Sequence, residues 1–475
     1  MLPLTLIYLL QQILGGNAQQ SSFQLPLNNL SNFTGTTLPN PAVLSIPSSQ
    51  SSNFTITVAL CSSSPQIPRF ILSNDTSITQ PSQPDLDTPN VFEVSLNNGY
   101  GNWTGLMPNG GFMSVLNAGQ TPFEVGVSDG GPMHEIMDSY PFLGDTTSNQ
   151  ALLFSPAFGE ASTSNPTYPN YTLPAANLSF PQGPSSPPNF TLIIVPTSSS
   201  SLASVPRTAC AMSSVRAADV LHEGPAESEG LWLKDQAGWR WQWLVNGLTP
   251  ATNYTVYAMQ DNSKVSSPIN FVTKSASFDC PIVHSLPFCP SISYAVPIQG
   301  PSLPASAHDT TTLPEEFYSP LLEVLTNFTV SLTTFPCGRD MYSPIVGCAD
   351  CQQAYRRWLC AIWFPRCSEA APDSGDSTQK PLSALQAQAP SATPRSPSLP
   401  PFPSGYNALL PCLETCTAVD RACPISLGFK CPIPRFTAKA SYGVGYIDTG
   451  EEGDEGGGLT GTAQDRWGNV WCNLG

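Results

Sequence analysis

Four groups of residues have the types that chemistry needs. Gly126-Val127-Ser128-Asp129-Gly130 matches the G-x-S-x-G elbow, which presents a serine nucleophile on a strand-to-helix turn. Gly130-Gly131-Pro132 breaks the chain directly after it, so a hairpin loop is expected there and not a hydrolase elbow. His134, His222, His284 and His308 are scattered, without HExxH or paired-ligand spacing. Cys348-x2-Cys351 has the spacing of half a zinc site, and EEGDEGGG (Glu451 to Gly458) gathers acids that suit Ca2+. Those acids lack EF-hand spacing, and a solvated loop is expected. The reading assigns no catalytic residue, no metal and no cofactor, and the chain is not expected to be an enzyme.

The cysteines carry more information. The chain has 475 residues and 14 cysteines, eight of them between Cys348 and Cys431. Cys280, Cys289, Cys337 and Cys472 flank that cluster, while Cys61 and Cys210 stand alone upstream. The first residues contain an apolar run, Leu2 to Leu10, followed by small residues at Gly16-Asn17-Ala18. This reads as a signal peptide over 1–18, because Gln11-Gln12 cut the run short of the roughly 20 residues a membrane span needs. In an oxidising compartment dense cysteines form disulfides in preference to zinc sites. A bridge between Cys61 and Cys210 would tie the two β regions described below to each other.

Charge and composition agree with export. Charged residues make up 11% of the chain, against roughly 25% in soluble domains. Ten Asn-x-Ser/Thr acceptors are present: Asn29, Asn32, Asn53, Asn74, Asn102, Asn170, Asn177, Asn189, Asn253 and Asn327. Attached glycans supply the solvation that charges otherwise give. A net charge of −16 opposes nucleic-acid binding, which needs a cationic surface.

The elements fall into two classes. Residues 19–52 read as a flexible, glycosylated segment. Short alternating runs (NFTITVALC, PRFILS, VFEVSL, GFMSVLN, PFEVGV) separated by Asn/Gly turns then predict a β-sandwich or jelly roll over 53–165. A linker over 166–188 leads to a second β domain over 189–275. There Leu248-Thr249-Pro250-x-Thr252-x-Tyr254-x-Val256-Tyr257 resembles the tyrosine corner of fibronectin type III domains, with Trp241 and Trp243 on the preceding strand. From Cys280 the pattern becomes helical: Pro314-Glu315-Glu316 suits a helix start, and Cys351 to Phe364 and Asn407 to Cys423 also read as helices. Residues 368–404 are Pro/Ser/Ala-rich and read as a disordered insertion.

Cys351-x8-Cys360-x6-Cys367, Pro411-Cys412-x3-Cys416-x6-Cys423 and Cys280-Pro281-Ile282 followed by Cys289 resemble the Frizzled-type cysteine-rich domain, here over 279–475. The resemblance implies the pairs Cys280–Cys367, Cys289–Cys360, Cys351–Cys423, Cys416–Cys431 and Cys412–Cys472. Cys337 and Cys348 are extra to that pattern and near enough in sequence to pair. The join of a signal peptide, a glycosylated β-rich half and this cysteine-rich half, with YRRWLCAIWFPRC and PCLETCTAVDRACP, resembles the fungal stretch-activated calcium-channel component (mating-induced-death) family.

That resemblance implies an extracellular regulatory subunit docked on a voltage-gated-type pore subunit and supporting calcium influx. Membrane association would come through that partner. The expected location is the secretory pathway and the outer face of the plasma membrane, or the endoplasmic reticulum. Trp358, Trp363 and Phe364 are candidate interface anchors, weighed against a plain role as core around the bridges. The alternatives are a secreted adhesin or lectin, and a lipid-binding cysteine-rich protein.

Overall fold

The computed structural model describes residues 22–159, 173, 182–198, 202, 204–214, 222–223, 228–369, 384–433, 438–443 and 472–474. The signal-peptide stretch, the linker up to 181 apart from Leu173, Asn170, Asn177 and the acidic loop 451–458 lie outside them. The chain divides into two units. The first comprises Met1–Ile136, Ser200–Arg216 and Asn262–Val265; the second comprises Met137–Ser199, Ala217–Asp261 and Ser266–Gly475.

In the first unit nine strands make a sandwich: β1 (Phe23–Gln24), β2 (Asn29–Phe33), β3 (Val43–Ile46), β4 (Thr55–Leu60), β5 (Arg69–Ser73), β6 (Val91–Val94), β7 (Tyr100–Thr104), β8 (Gly111–Leu116) and β9 (Phe123–Ser128). One sheet runs β1-β3-β8-β5-β6 and the other β2-β9-β4-β7. Alternating residues turn inward, where Phe123 stacks on Phe33 at 5.3 Å and meets Phe70 edge-on at 5.1 Å. Burying each such ring contributes about 1.5–3 kcal/mol. Residues 19–52 were expected to lie loosely, yet β1, β2 and β3 fall inside them; Leu25, Phe33, Leu44 and Ile46 supply apolar faces that the sandwich buries.

β6 and β7 meet at a two-residue turn. Asn97 and Tyr100 exchange backbone hydrogen bonds of 2.7 and 2.9 Å around Asn98 and Gly99, both at positive φ. A short helix, α1 (Ala209–Ser213), carries Cys210, which is bridged to Cys61 just beyond β4. Because Ser200–Arg216 belongs to the first unit, this bridge closes within that unit and does not tie two β regions together.

The second unit begins earlier than the boundary expected at 165. Strands β10 (Phe142–Thr146) and β11 (Gln150–Phe154) pair with β14 (Gly238–Asn246) and β13 (Ser228–Asp235) in the order β10-β11-β14-β13. Facing them, β15 (Asn253–Gln260) pairs with β12 (Phe190–Pro196) and β16 (Ile269–Val272). All of β11 is buried, which is why its sequence, QALLF, shows no polar alternation. Ala151 and Leu153 face the sandwich core beside Trp243 and Tyr254. Leu152 and Phe154 face the other way and pack with Trp232, Ile282 and Ala307. The sandwich and the start of the cysteine-rich half therefore share a core, where two separate domains were expected.

Three longer helices complete this unit: α2 (Glu315–Leu332), α3 (Cys348–Trp363) and α4 (Leu413–Ala422). The helix expected over 407–423 is shorter, because Tyr406–Leu409 forms a strand paired with both Arg366–Ser368 and Leu385–Gln388. Part of the expected disordered insertion is thus ordered: Leu399 and Phe402 are buried within it.

Candidate functional site

The site is assembled on α3. Its buried positions Cys348, Cys351, Gln352, Arg356, Leu359 and Cys360 recur at three- and four-residue spacing and form one stripe. Asp350 Oδ2 accepts the Gly347 N–H at 2.7 Å and caps the first turn. The three cysteines of that stripe bridge Cys337, Cys423 and Cys289, and Cys367 just beyond the helix bridges Cys280. Cys416 on α4 and the flanking Cys412 and Cys423 go to separate partners, Cys431, Cys472 and Cys351. No cysteine is free. Five of these pairs are those the family resemblance implies, and Cys337–Cys348 is the pair extra to that pattern. Each bridge contributes about 2–4 kcal/mol by restricting the unfolded chain.

Side chains add ties between these elements. Gln352 Nε2 donates to Thr329 Oγ1 of α2 at 2.8 Å, and Arg356 Nη1 donates to the Phe288 carbonyl at 2.9 Å. Burial holds the Arg356 guanidinium down to about 10. Of the three candidate interface anchors, Phe364 is fully buried and cannot meet a partner. Trp358 and Trp363 are half-buried, and their indole N–H groups are already spent on Tyr442 Oη (2.9 Å) and the Phe317 carbonyl (2.8 Å). Phe364 is core around the bridges, and Trp358 and Trp363 pack against that core with their one polar handle bonded.

A buried charge network, which the sequence reading missed, welds the sandwich to the cysteine-rich half. Asp145 on β10 is 2% exposed and meets Arg366 Nε at 2.9 Å and Lys274 Nζ at 3.2 Å. It also accepts the Ala295 backbone N–H at 3.2 Å. Burial alone would raise its pKa, but the two cations and these hydrogen bonds hold the carboxyl below the usual range. Arg366 lies over the Tyr294 ring at 5.4 Å, and Tyr294 Oη donates to the Phe364 carbonyl at 2.9 Å. Burial pushes the Tyr294 phenol up.

Beside this network Lys234 is buried, donates to the Ser291 carbonyl at 2.7 Å and sits over the Phe142 ring. Burial pushes its amine down to about 7, with Arg357 nearby adding repulsion. The signal for these residues lies in the sequence: in a chain poor in charge, Asp145 within FLGDT and Arg366 between Pro365 and Cys367 interrupt buried runs, and a buried charge must be paired.

The tyrosine corner has its expected bond: Tyr254 Oη accepts the Thr249 backbone N–H at 2.9 Å. Of the eight acceptor asparagines described, Asn29, Asn32, Asn53, Asn102, Asn189, Asn253 and Asn327 are exposed. Asn74 is half-buried, with Nδ2 donating to the Leu106 carbonyl at 3.3 Å.

The other chemistry candidates come apart. Ser128 ends β9 and is followed by bends, without the helix an elbow requires. His134 is held between Thr57 Oγ1 (2.9 Å) and Glu124 Oε2 (3.1 Å). Two cysteine–glutamate groups lie within metal-ligating distance, Cys61/Glu124/Cys210 and Cys412/Glu414/Cys472, but each cysteine pair is a disulfide and offers no thiolate. Among the described residues no helix is long and apolar enough to cross a membrane.

Comparison with known proteins gives one consistent result. Residues 47–457 match the family described as Mid1, stretch-activated Ca2+-permeable channel component. The stretch-activated cation channel MID1 of Cryptococcus neoformans var. grubii is 35% identical over 79% of this chain and 68% of its own length. The stretch-activated cation channel yam8 of Schizosaccharomyces pombe is 30% identical over 42% of this chain and 40% of its own length. The Saccharomyces cerevisiae MID1 is 29% identical over 40% and 34%. Among solved structures, chicken CNTN1 FN1–FN3 and a two-domain fibronectin type III segment of chicken tenascin cover 54% and 48% of this chain, at 63% and 97% of their own. Their identities are 11% and 13% and their TM-scores 0.16 and 0.15, which carry no argument about fold.

Proposed function

Because the chain belongs to the family of stretch-activated Ca2+-permeable channel components, we propose that it is an extracellular auxiliary subunit that docks on a voltage-gated-type pore subunit and supports calcium influx. The observation that carries this reading is the bracing of its second unit. Six bridges, the shared core behind β11 and the Asp145–Arg366–Lys274 network hold the sandwich and the helices as one body. A body so braced presents a preorganised surface and loses little freedom on binding. Saturated disulfide bonding belongs to an oxidising compartment, so we place the chain in the secretory pathway, on the outer face of the plasma membrane or in the endoplasmic reticulum.

On this reading the cysteine-rich half is a Frizzled-like domain and the second sandwich is fibronectin type III-like, supported by the bridge pattern and by the Tyr254 corner. The exposed acceptor asparagines carry glycans that leave the docking face clear. The subunit performs no reaction.

Calcium uptake in cells lacking the protein and complemented with variants tests the docking module. Cys360→Ser or Cys416→Ser, each breaking one brace, abolishes the uptake that the intact chain restores. Normal uptake with both variants would refute a disulfide-braced docking module.

A further inference from the structure

A cavity of about 320 Å3 lies between the C-terminal end of α3 and the strand Tyr406–Leu409, and the docking reading makes no use of it. Its walls are mostly apolar, with Leu359, Trp363, Pro365 and Leu409 among them. Arg395 and Ser396, consecutive in sequence, are polar residues of the lining, together with Ser441 and Tyr442. Ser396 is 3% exposed, and its Oγ is buried without a hydrogen-bond partner. A buried hydroxyl left unpaired costs about 1–3 kcal/mol, so it marks a place where a polar atom is wanted. Arg395 is exposed, and among the described residues it reaches one polar atom, the Ala440 carbonyl at 3.5 Å. In a chain with 34 acidic and 18 basic side chains, a cation left open at an apolar cavity selects for a negative ligand.

We propose that this cavity binds a small amphipathic monoanion, with its apolar body against Trp363 and Leu409 and its carboxylate at Arg395 and Ser396. The volume lies at the low end of ligand pockets, which run from roughly 300 to 1,000 Å3. At about 30 Å3 per water-sized group it holds on the order of ten non-hydrogen atoms. Mostly apolar walls with a few convergent polar groups are the usual anatomy of such sites. The ligand's body is aliphatic or aromatic, and both share the carboxylate that the polar pair recognises.

Isothermal titration of the full, disulfide-bonded chain with decanoate, indole-3-propionate and decanol tests this. At least one of the two carboxylates binds at one per chain, about fivefold or more tighter than decanol; the tighter one names the ligand's body. Arg395→Gln brings carboxylate binding down to the decanol level and leaves decanol unchanged. Because Arg395 is exposed, that variant keeps the fold, which non-reducing peptide mapping of the seven bridges checks. Ser396→Ala removes an unpaired hydroxyl, so it leaves the melting temperature level or higher while weakening the carboxylate. Equal binding of all three probes, no binding up to about 1 mM, or an unchanged Arg395→Gln titration would overturn the proposal. None of these outcomes bears on docking, which the calcium-uptake assay reads separately.

Discussion

At the scale of single residues, the informative groups are the buried charges. Asp145 is satisfied only while Arg366 and Lys274 remain beside it. Asp145→Asn leaves Arg366 buried without its counter-charge and the half-buried Lys274 without its ion pair, and should cost about 3–5 kcal/mol, read as a lower denaturant midpoint. Lys234 behaves differently, because burial lowers its amine from 10.5 to about 7. Between those values the unfolded chain binds a proton that the folded chain does not. Stability therefore falls as pH drops from 10.5 toward 7, and this loss is complete below about 7. Lys234→Met keeps the stem packed over Phe142 and removes the charge, so it flattens that pH slope and raises the melting temperature at neutral pH. An unchanged slope in Lys234→Met would show that the amine is solvated. Asn74 gives a third test at this scale. Its Nδ2 is engaged with Leu106, so peptide mapping should find it unmodified while the seven exposed acceptors carry glycans.

At the scale of elements, turns and staples set the geometry. Gly99 sits at φ +82°, and a Cβ there would come within 2.4 Å of Pro206 Cβ. Gly99→Ala is therefore strained twice, by conformation and by contact, and should destabilise the first unit by about 1–3 kcal/mol in thermal melts. The bridge Cys351–Cys423 joins α3 to α4, and its removal should cost about 2–5 kcal/mol.

Much at this scale was legible in the sequence. Runs such as NFTITVALC and PFEVGV gave β4 and β9, because one apolar face per strand leaves a period-two pattern. Cys412, Cys416 and Cys423, at i, i+4 and i+11 along α4 and its two caps, were legible as one face for the same reason at the helical period. Two things were not. β11 and β10 were credited to the first sandwich because a strand buried on both faces carries no sign of which sheet it joins. Residues 385–404 read as disordered from composition, although Leu399 and Phe402 were enough to pack them. Asp145 and Arg366 each stand out as a charge in a buried run, but their pairing was not legible, because they stand far apart in sequence and only the fold brings them together.

At the scale of the whole molecule, the family, the saturated disulfides and the exposed acceptor asparagines point to one role outside the cytosol. The chain spans 68% of its Cryptococcus relative's length, and the family match over residues 47–457 takes in most of the first sandwich, the second sandwich and most of the cysteine-rich half. A braced second unit suits a subunit that holds another protein in register better than one that must reshape itself. Affinity purification of the tagged, full-length chain from mildly solubilised fungal membranes tests this most directly. The account predicts recovery of one large, multiply membrane-spanning channel protein in fixed proportion to the chain, and its loss from the Cys351→Ser variant. Recovery of the intact chain with wall glycan alone, and with no such channel protein, would contradict it.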